Sequence, residues 1–475
     1  MNISEPIRRH AQVTPDGIAV IRADHRAVTW RDLDRLTYRA ARYFLRLGLA
    51  PGQIVAAGIT GPNELVGLIG VLALARLGIV TADPALPDAH LDAALVQEGQ
   101  PSRPGLSCVP LDAYWIEPPP DAVAAPVAPH RDGTAICRIL ASSGTSGTPK
   151  FAPVSHAVMA RRVTAHAVSA RRAEAAHICA TGIGSALGFR AALRSLWFGG
   201  TLVLSNPADA AEAIRLHQVR SMTIAPISLQ HLLGALPADA RPLPSLDVVE
   251  VSGSALPPAL AAAARQRLCP NIVTEYGSTE CGLVASAPVA MLGGDPRAVG
   301  FLHADVEVRV TDDDGRDLPA GAEGLLCVRT GAEIAGYFRD PAGTAAAFRD
   351  GWYCGGDIGR LSPAGVLSVT GRRGDLINAG GEKISPHVVE DVLLTLPQVR
   401  EAAAFGVTDR MGVTQVWAAI VADGAVATDR LSRLCGEKLG LHAPKFILQL
   451  RGLPRNGNGK VLRDELARYA EAHQP

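Results

Sequence analysis

Short apolar runs alternate with stretches of helical period across residues 29–274 of this 475-residue chain, and few architectures accept that pattern. The runs are Ile54–Ile59, Ala135–Ala141, Thr201–Leu204, Ser221–Ile224, Val248–Val251 and Ile272–Thr274. All but the three-residue Ile272–Thr274 run have the length of a buried strand. Helical stretches lie between them, for example Val154–Ala170, Phe189–Phe198 and Pro257–Leu268. Strands separated by crossover helices pair in parallel, so the alternation predicts an α/β fold with doubly wound sheets. An early helix over 29–48 is marked by its own punctuation. Thr29 and Asp32 have capping-box spacing, Leu33, Leu36, Ala40, Phe44 and Leu47 recur on one face, and Gly48 closes it. The longest apolar run, Val66–Ala82, is interrupted by Arg76 and Gly78 and falls short of the roughly 20 residues of a membrane span. It reads as a buried helix running into a strand.

The texture changes at Val306. Val306–Val310, Gly324–Val328 and Val366–Thr370 read as strands joined by turns such as Asp312–Gly315, a small antiparallel β subdomain. Beyond the Gly371–Gly374 run come helix 386–396, strands 402–407 and 416–421, and helix 428–439. The expected division is a large domain over 1–371 and a small α/β domain over 372–475. Residues 101–134, rich in proline, read as a surface connection without strand or helix.

The 46 basic and 46 acidic residues cancel. Zero net charge and the lack of a polybasic tract argue against nucleic acid and against a membrane surface as partners. The first 17 residues contain no apolar core of a secretory leader. The eight cysteines are scattered with no CxxC pair, which predicts reduced, packed thiols in the cytoplasm and no zinc site. Only five basic residues are lysines: Lys150, Lys383, Lys438, Lys445 and Lys460. A chain that uses arginine wherever charge suffices marks with lysine the places where a compact ammonium on a flexible stem is wanted.

Two of those lysines close glycine-rich segments. In Ile139–Lys150 (ILASSGTSGTPK) a strand runs into a loop whose Gly144 and Gly147 let the backbone approach a ligand. Its amides, the hydroxyls of Ser142, Ser143, Thr145, Ser146 and Thr148, and the Lys150 ammonium together suit a polyphosphate, although the spacing is not that of a Walker loop. A bare surface turn is the competing reading, and the Lys150 that ends the loop weighs against it. Glu275–Glu280 (EYGSTE) follows a predicted strand at the end where open sheets place ligands. Tyr276 can stack on a base there, and Glu280 can hold Mg²⁺. In Trp352–Gly359 (WYCGGDIG), Asp357 can accept both hydroxyls of a ribose, or merely brace its own turn. Lys460 stands in Pro454–Arg463 (PRNGNGKVLR).

The order and spacing of these segments, with Leu74–Pro84 (LARLGIVTADP), Ser252–Pro257 (SGSALP) and Gly371–Pro386 (GRRGDLINAGGEKISP), resemble the adenylate-forming superfamily of acyl- and aryl-CoA synthetases over nearly the whole chain. The resemblance implies activation of a carboxylic acid by Mg·ATP as acyl-AMP, then transfer to the thiol of CoA. It implies phosphate binding by residues 142–150 and Mg²⁺ beside Thr145 and Glu280. Adenine would lie against Gly253, Ser254, Glu275, Tyr276 and Gly277, and the α-phosphate beside Thr279. Asp357 and Arg372 would take the ribose. Lys460 would bridge the carboxylate and α-phosphate, with Thr145, Lys150, Glu280 and Lys460 as the catalytic set. The small domain would be mobile about residues 371–375 and would present Gly380, Gly381 and Lys383 to the thiol. The acid pocket would involve His156, Gly184, Ser185, Gly188 and Phe189; for His156 a buried structural role is the competing reading.

The chain departs from the family pattern at four places. Ser185 replaces a usual histidine, Gly374 a usual polar hinge residue, Gly355 a usual threonine and Val388 a usual glutamate. Three alternatives stay open: loading of a separate acyl carrier protein, an unusual acid such as nitrous acid passed to an amine, and a catalytically silent homologue. The pocket segment favours a medium-sized apolar or aromatic acid.

Overall fold

A computed structural model describes residues 1–59, 64–97, 103–111, 130–142, 149–165, 175–206, 208–379, 382–408, 414–455 and 461–472. The chain forms two compact units, one of Met1–Glu307 with Val328–Tyr353, the other of Val308–Cys327 with Cys354–Pro475.

The first unit holds two sheets of the expected kind. One runs in the order 107–111, 93–97, 54–57, 80–82, 136–142 and 150–155, parallel but for the last hairpin. In the other, strands 18–21, 202–203, 177–179, 221–224, 248–251 and 272–278 are parallel neighbours, with antiparallel strands added at both ends. The early helix spans Trp30–Arg46, and the Thr29 hydroxyl oxygen accepts the Asp32 amide at 3.1 Å as its spacing predicts. Residues 66–82 form a helix, Glu64–Leu77, buried all round from Leu65, and the strand Val80–Ala82. Among the described residues no helix is long and apolar enough to cross a membrane.

Local expectations fail where tertiary contact decides. The helix predicted from Val154 starts at His156, because Lys150–Ser155 is drawn into the sheet as a return strand and Ser155 caps the helix through the Val158 amide. The helix expected at Phe189 starts at Ala186, capped by Ser185. Residues 101–134 contain a strand after all, Ser107–Leu111, which lies on the sheet edge where Pro110 costs little. The 272–274 strand continues to Ser278 and carries most of the EYGSTE segment into a hairpin.

In the second unit, Gly324 and Leu325 pair antiparallel with strand 357–361, which pairs antiparallel with strand 366–372. A three-stranded sheet, 399–408, 414–422 and 446–449, has a core on each face. Ala404, Val416, Ala418 and Ile420 face one, and Ala403, Phe405, Trp417 and Ala419 the other, the period-two partition of a strand covered on both sides.

Cys327 and Cys354 are joined as a disulfide, which corrects the expectation of eight free thiols. Val328 pairs with Tyr353 across an antiparallel ladder, so Cys327 and Cys354 stand opposite each other with Cα atoms 4.3 Å apart. Their separation of 27 residues in sequence carries no sign of this. Alkylation of the denatured chain is expected to label six thiols without reductant and eight after reduction, read by intact mass. Eight labels in both arms would refute the bond.

Two buried histidines make the fold acid-sensitive. His177 sits inside the second sheet with Nδ1 2.9 Å from Ser221 Oγ, and burial pushes its pKa down to about 3. His156 Nδ1 accepts the Ile3 amide at 3.2 Å, Nε2 lies 3.4 Å from Asn2 Nδ2, and burial lowers its pKa to about 4. Both rings are neutral in the native state and take up a proton more readily when unfolded. Their contribution is therefore intact above about pH 6.5 and falls below it, by about 1.4 kcal/mol per pH unit for each ring. The thermal midpoint should drop between pH 7 and pH 5.5, and His177→Asn should flatten that slope while lowering stability at pH 7. An unchanged slope would exclude His177 as a source.

Candidate active site

In the first unit, strand Ile136–Ser142 and return strand Lys150–Ser155 bring Ser142 opposite Lys150. The loop residues Ser143, Gly144, Thr145, Ser146, Gly147 and Thr148 lie outside the described residues. The Lys150 ammonium stands 4.7 Å from the centroid of the Tyr337 ring, and the buried Tyr337 hydroxyl donates to Glu280 Oε1 at 3.0 Å. Lys150 and Glu280, 130 positions apart, thus meet on two sides of one tyrosine. Glu280 Oε2 accepts no hydrogen bond from a described residue, so that oxygen is available to a hard cation. Among the described residues no cluster of three or more metal-type side chains forms.

Arg162 fixes this arrangement from behind. Its Nε donates to the carbonyl of Ala332 at 2.9 Å, Nη1 to that of Thr279 at 3.0 Å and Nη2 to that of Glu280 at 2.7 Å. The Ser278 hydroxyl oxygen accepts the amides of Glu280 and Cys281, completing the turn. Burial pushes the Arg162 pKa down to about 10, which leaves it charged at neutral pH. Neither Arg162 nor Tyr337 stood out in sequence. Arginine is everywhere in this chain, and a tyrosine in a Gly-Tyr-Phe run reads as core.

Gly253 and Ser254 are exposed, and Gly253 has φ +99° with open space where a Cβ would stand. Tyr276 and Thr279 are half-buried and Gly277 is exposed. A Cβ on Gly277 would meet the Gly282 carbonyl oxygen at 2.2 Å, so only glycine fits the hairpin there. The side chain of Glu275 turns away from these residues. It is buried, and Arg190 donates to its Oε2 at 3.0 Å. Next to it Arg194 pairs with Glu250, to which the Thr223 hydroxyl also donates. Burial would raise Glu250, but Arg194 holds it at about 2; burial keeps Glu275 above the ordinary carboxylate range despite Arg190.

The acid-pocket candidates divide. Ser185 caps helix Ala186–Trp197: its Oγ accepts the Gly188 amide at 2.9 Å and donates to the Gly182 carbonyl at 3.0 Å. A Cβ on Gly184 would strike the Ile59 carbonyl oxygen at 2.3 Å, and one on Gly188 the Gly182 carbonyl oxygen at 2.0 Å. Gly184 and Ser185 are partly exposed, whereas Gly188 and Phe189 are buried. Glu64 Oε1 accepts the Ile183 amide at 3.3 Å, and burial raises its pKa. Arg138, another residue sequence did not single out, lies over the Phe189 ring. His156 is bound to the N-terminal residues Asn2 and Ile3, the structural role weighed against a pocket role.

In the second unit Asp357 and Arg372 are direct partners across the antiparallel ladder, and Arg372 Nε donates to Asp357 Oδ1. Gly356 (φ +92°) precedes this pair, and its carbonyl accepts the Arg373 amide at 2.7 Å. Gly374 lies in a single turn, Arg373–Asp375, with Asp375 3.8 Å from Arg463. Lys383 lies in the hairpin strand Glu382–Ile384 opposite Asn378. Gly380, Gly381, the Lys383 side chain and Lys460 lie outside the described residues.

Arg162→Met should destabilise the first unit by roughly 3 kcal/mol or more, since it strands three carbonyls, and Tyr337→Phe by about 1 kcal/mol. Differential scanning calorimetry reads both. Equal small effects would deny Arg162 its organising role.

The model of the AMP-binding enzyme family matches residues 7–338, and that of the AMP-binding enzyme C-terminal domain residues 388–460. The chain is 30% identical to a 2-succinylbenzoate–CoA ligase of Bacillus licheniformis, over 97% of this chain and 98% of that one. It is 28% identical to the indoleacetate–CoA ligase of Aromatoleum aromaticum, over 98% of each. Among solved structures it resembles the o-succinylbenzoate CoA synthetase of Bacillus subtilis in complex with AMP (TM-score 0.86, 24% identity, 97% of each chain). It also resembles the amide bond synthetase McbA of Marinactinospora thermotolerans (TM-score 0.84, 27% identity, 99% of this chain and 100% of that one).

Proposed function

The chain belongs to the AMP-binding enzyme family, and we propose that it is an AMP-forming acid–thiol ligase that activates a carboxylic acid with ATP and passes the acyl group to CoA. The observation that carries this is the meeting of Lys150 and Glu280 at Tyr337, a cation and an anion brought to one side chain where the Ser/Gly segment ends in sequence. In the first half-reaction a carboxylate oxygen bonds to the α-phosphorus, the bond to the bridging oxygen breaks, and pyrophosphate leaves. In the second, the thiol sulfur bonds to the acyl carbon, the C–O bond breaks, AMP leaves with that electron pair, and the thiol proton passes to solvent.

The first step gathers negative charge, so positioned cations and donors do most of the work. Lys150, Ser142 and the loop through Thr148 hold the outer phosphates. Glu280 and Thr145 would hold Mg²⁺, which would neutralise phosphate charge. Tyr337 and Arg162 keep the Glu280 carboxylate aimed. Gly253, Ser254, Tyr276 and Gly277 line the adenine; Glu275 contributes backbone only, because its carboxylate is committed to Arg190. Thr279 meets the α-phosphate, and Asp357, braced by Arg372, takes the ribose hydroxyls. Lys460 reaches between carboxylate and α-phosphate. Residues 372–475 then turn about the 371–375 hinge, and Gly380–Lys383 guides the thiol. Gly184, Ser185, Gly188 and Phe189 bound the acid.

The two ligases named above act, by name, on aryl acids, which supports an aryl or similar acid here. A second reading, an amine in place of the thiol, is favoured by the likeness to an amide bond synthetase across the whole chain. A separate carrier protein would use the same pantetheine thiol chemistry.

AMP and pyrophosphate should be released from Mg·ATP in the presence of one acid of a panel of aryl, short, medium and long acids with nitrite. Lys460→Ala should lower that rate by about a hundredfold or more. A CoA thioester in the mass spectrum selects the ligase; an adenylate discharged only by an amine or a carrier protein selects those acceptors. A chain that fails to bind Mg·ATP in calorimetry would end the enzymatic reading.

A further inference from the structure

Five arginines are buried among the described residues, and four have found their counter-groups. Arg76 meets Asp34 at 2.5 Å, Arg190 meets Glu275 at 3.0 Å, Arg194 meets Glu250, and Arg162 holds three carbonyls. Arg138 is the exception. It is 3% exposed, and among the described residues its one side-chain hydrogen bond is a long one, Nη2 to the Gly184 carbonyl at 3.4 Å. Nη1 is buried with no partner among the described residues, and no described carboxylate forms an ion pair with it. Asp83 is near enough to favour the charged form, but its Oδ1 accepts the Ala85 amide and it forms no ion pair with Arg138. Burial lowers the Arg138 pKa only to about 10, so the guanidinium is charged at neutral pH. A buried cation without a counter-charge is costly, and such a breach of packing rules is expected where a ligand completes the site.

The address of this cation is informative. Arg138 lies with its guanidinium carbon 4.3 Å from the centroid of Phe189 and its Nη2 against Gly184. Stacking and hydrogen bond together fix the plane of the fork and leave the Nη1 side uncommitted. Along its strand Arg138 pairs with Val154 and Ser142 with Lys150 in unbroken register, so the two point to the same face. They are four residues apart, roughly 13 Å along the strand. The start of the Ser/Gly loop is thus well removed from Arg138, and the charge stands on the acid side, not the phosphate side.

We propose that Arg138 receives a second carboxylate of the substrate, so that the acid is a dicarboxylic acid activated at one end and anchored at the other. This rests on the reading of residues 182–189 as the acid pocket. The free edge of a guanidinium fork matches a carboxylate and rejects an ester or methyl group of similar size. The activated carboxylate is not the one bound, because ion pairing to Arg138 would hold it away from the α-phosphorus. Arg138 is therefore a specificity residue and takes no part in bond making.

The test is acid-dependent ATP–pyrophosphate exchange with the straight-chain diacids from succinic to suberic, with phthalic and homophthalic acids, and with the monomethyl ester of each. The wild-type chain should favour at least one diacid over its ester by about tenfold or more in kcat/KM. Arg138→Met should lose that preference, mostly through KM, while exchange with the ester holds or rises; Arg138→Lys should recover part of it. The wild-type series decides even if Arg138→Met folds poorly, and calorimetry with Mg·ATP reports whether the variant keeps its nucleotide site. Equal or better turnover of esters and simple monoacids by the wild type overturns the role of Arg138 and leaves adenylation standing. An equal loss on diacid and ester in Arg138→Met likewise overturns it, marking Arg138 as a prop for Phe189. Exchange with no acid at all fells the adenylation reading and the diacid with it.

Discussion

The guanidinium of Arg162 holds the backbone of Thr279, Glu280 and Ala332 at once, and the arrangement of the first unit's candidate site follows from those three hydrogen bonds. Two chain segments more than fifty residues apart are tied to one helix by one cation. The turn after strand Ile272–Ser278 is fixed, so the Glu280 carboxylate has one direction. The Ala332 end is fixed too, so Tyr337, five residues on, reaches that carboxylate. Three charge-assisted bonds to carbonyl oxygens repay the burial of a full charge more safely than an ion pair, because each bond also satisfies a backbone group.

A second set of buried charges stiffens the ground beneath the site. Arg190 and Arg194, one helical turn apart on Ala186–Trp197, pair with Glu275 and Glu250 on neighbouring parallel strands. The helix that starts in the segment proposed to bound the acid is thereby registered against the strand that leads to Glu280. Such pairs add little net stability over an apolar core, but they penalise any slip of the helix along the sheet. Among the described residues Arg138 has no such partner, and the proposal made for it rests on that contrast.

Much of this could be read in the sequence. Thr29, Asp32 and Gly48 mark a helix through bonds within one turn, and the order of the Ser/Gly, EYGSTE and WYCGGD segments marks a family whose fold the structure shares. Other features could not. The return strand Lys150–Ser155 reads as the start of a helix until a neighbouring strand claims it. The Glu275 carboxylate belongs to a motif that faces nucleotide in the resemblance, yet an arginine 85 positions away turns it inward.

The sequence by itself determined the α/β class, the positions of most strands and helices and the candidate nucleotide motifs, because these depend on periodicity, capping and glycine placement over a few residues. Tertiary structure alone decided which arginines are structural, that Tyr337 aims Glu280, that Cys327 and Cys354 meet across a ladder, and that His156 serves the N-terminus. Those outcomes turn on burial and on partners far away in the chain. A charged or polar side chain looks the same in sequence whether its counter-group is a carboxylate, a carbonyl or a substrate still to come.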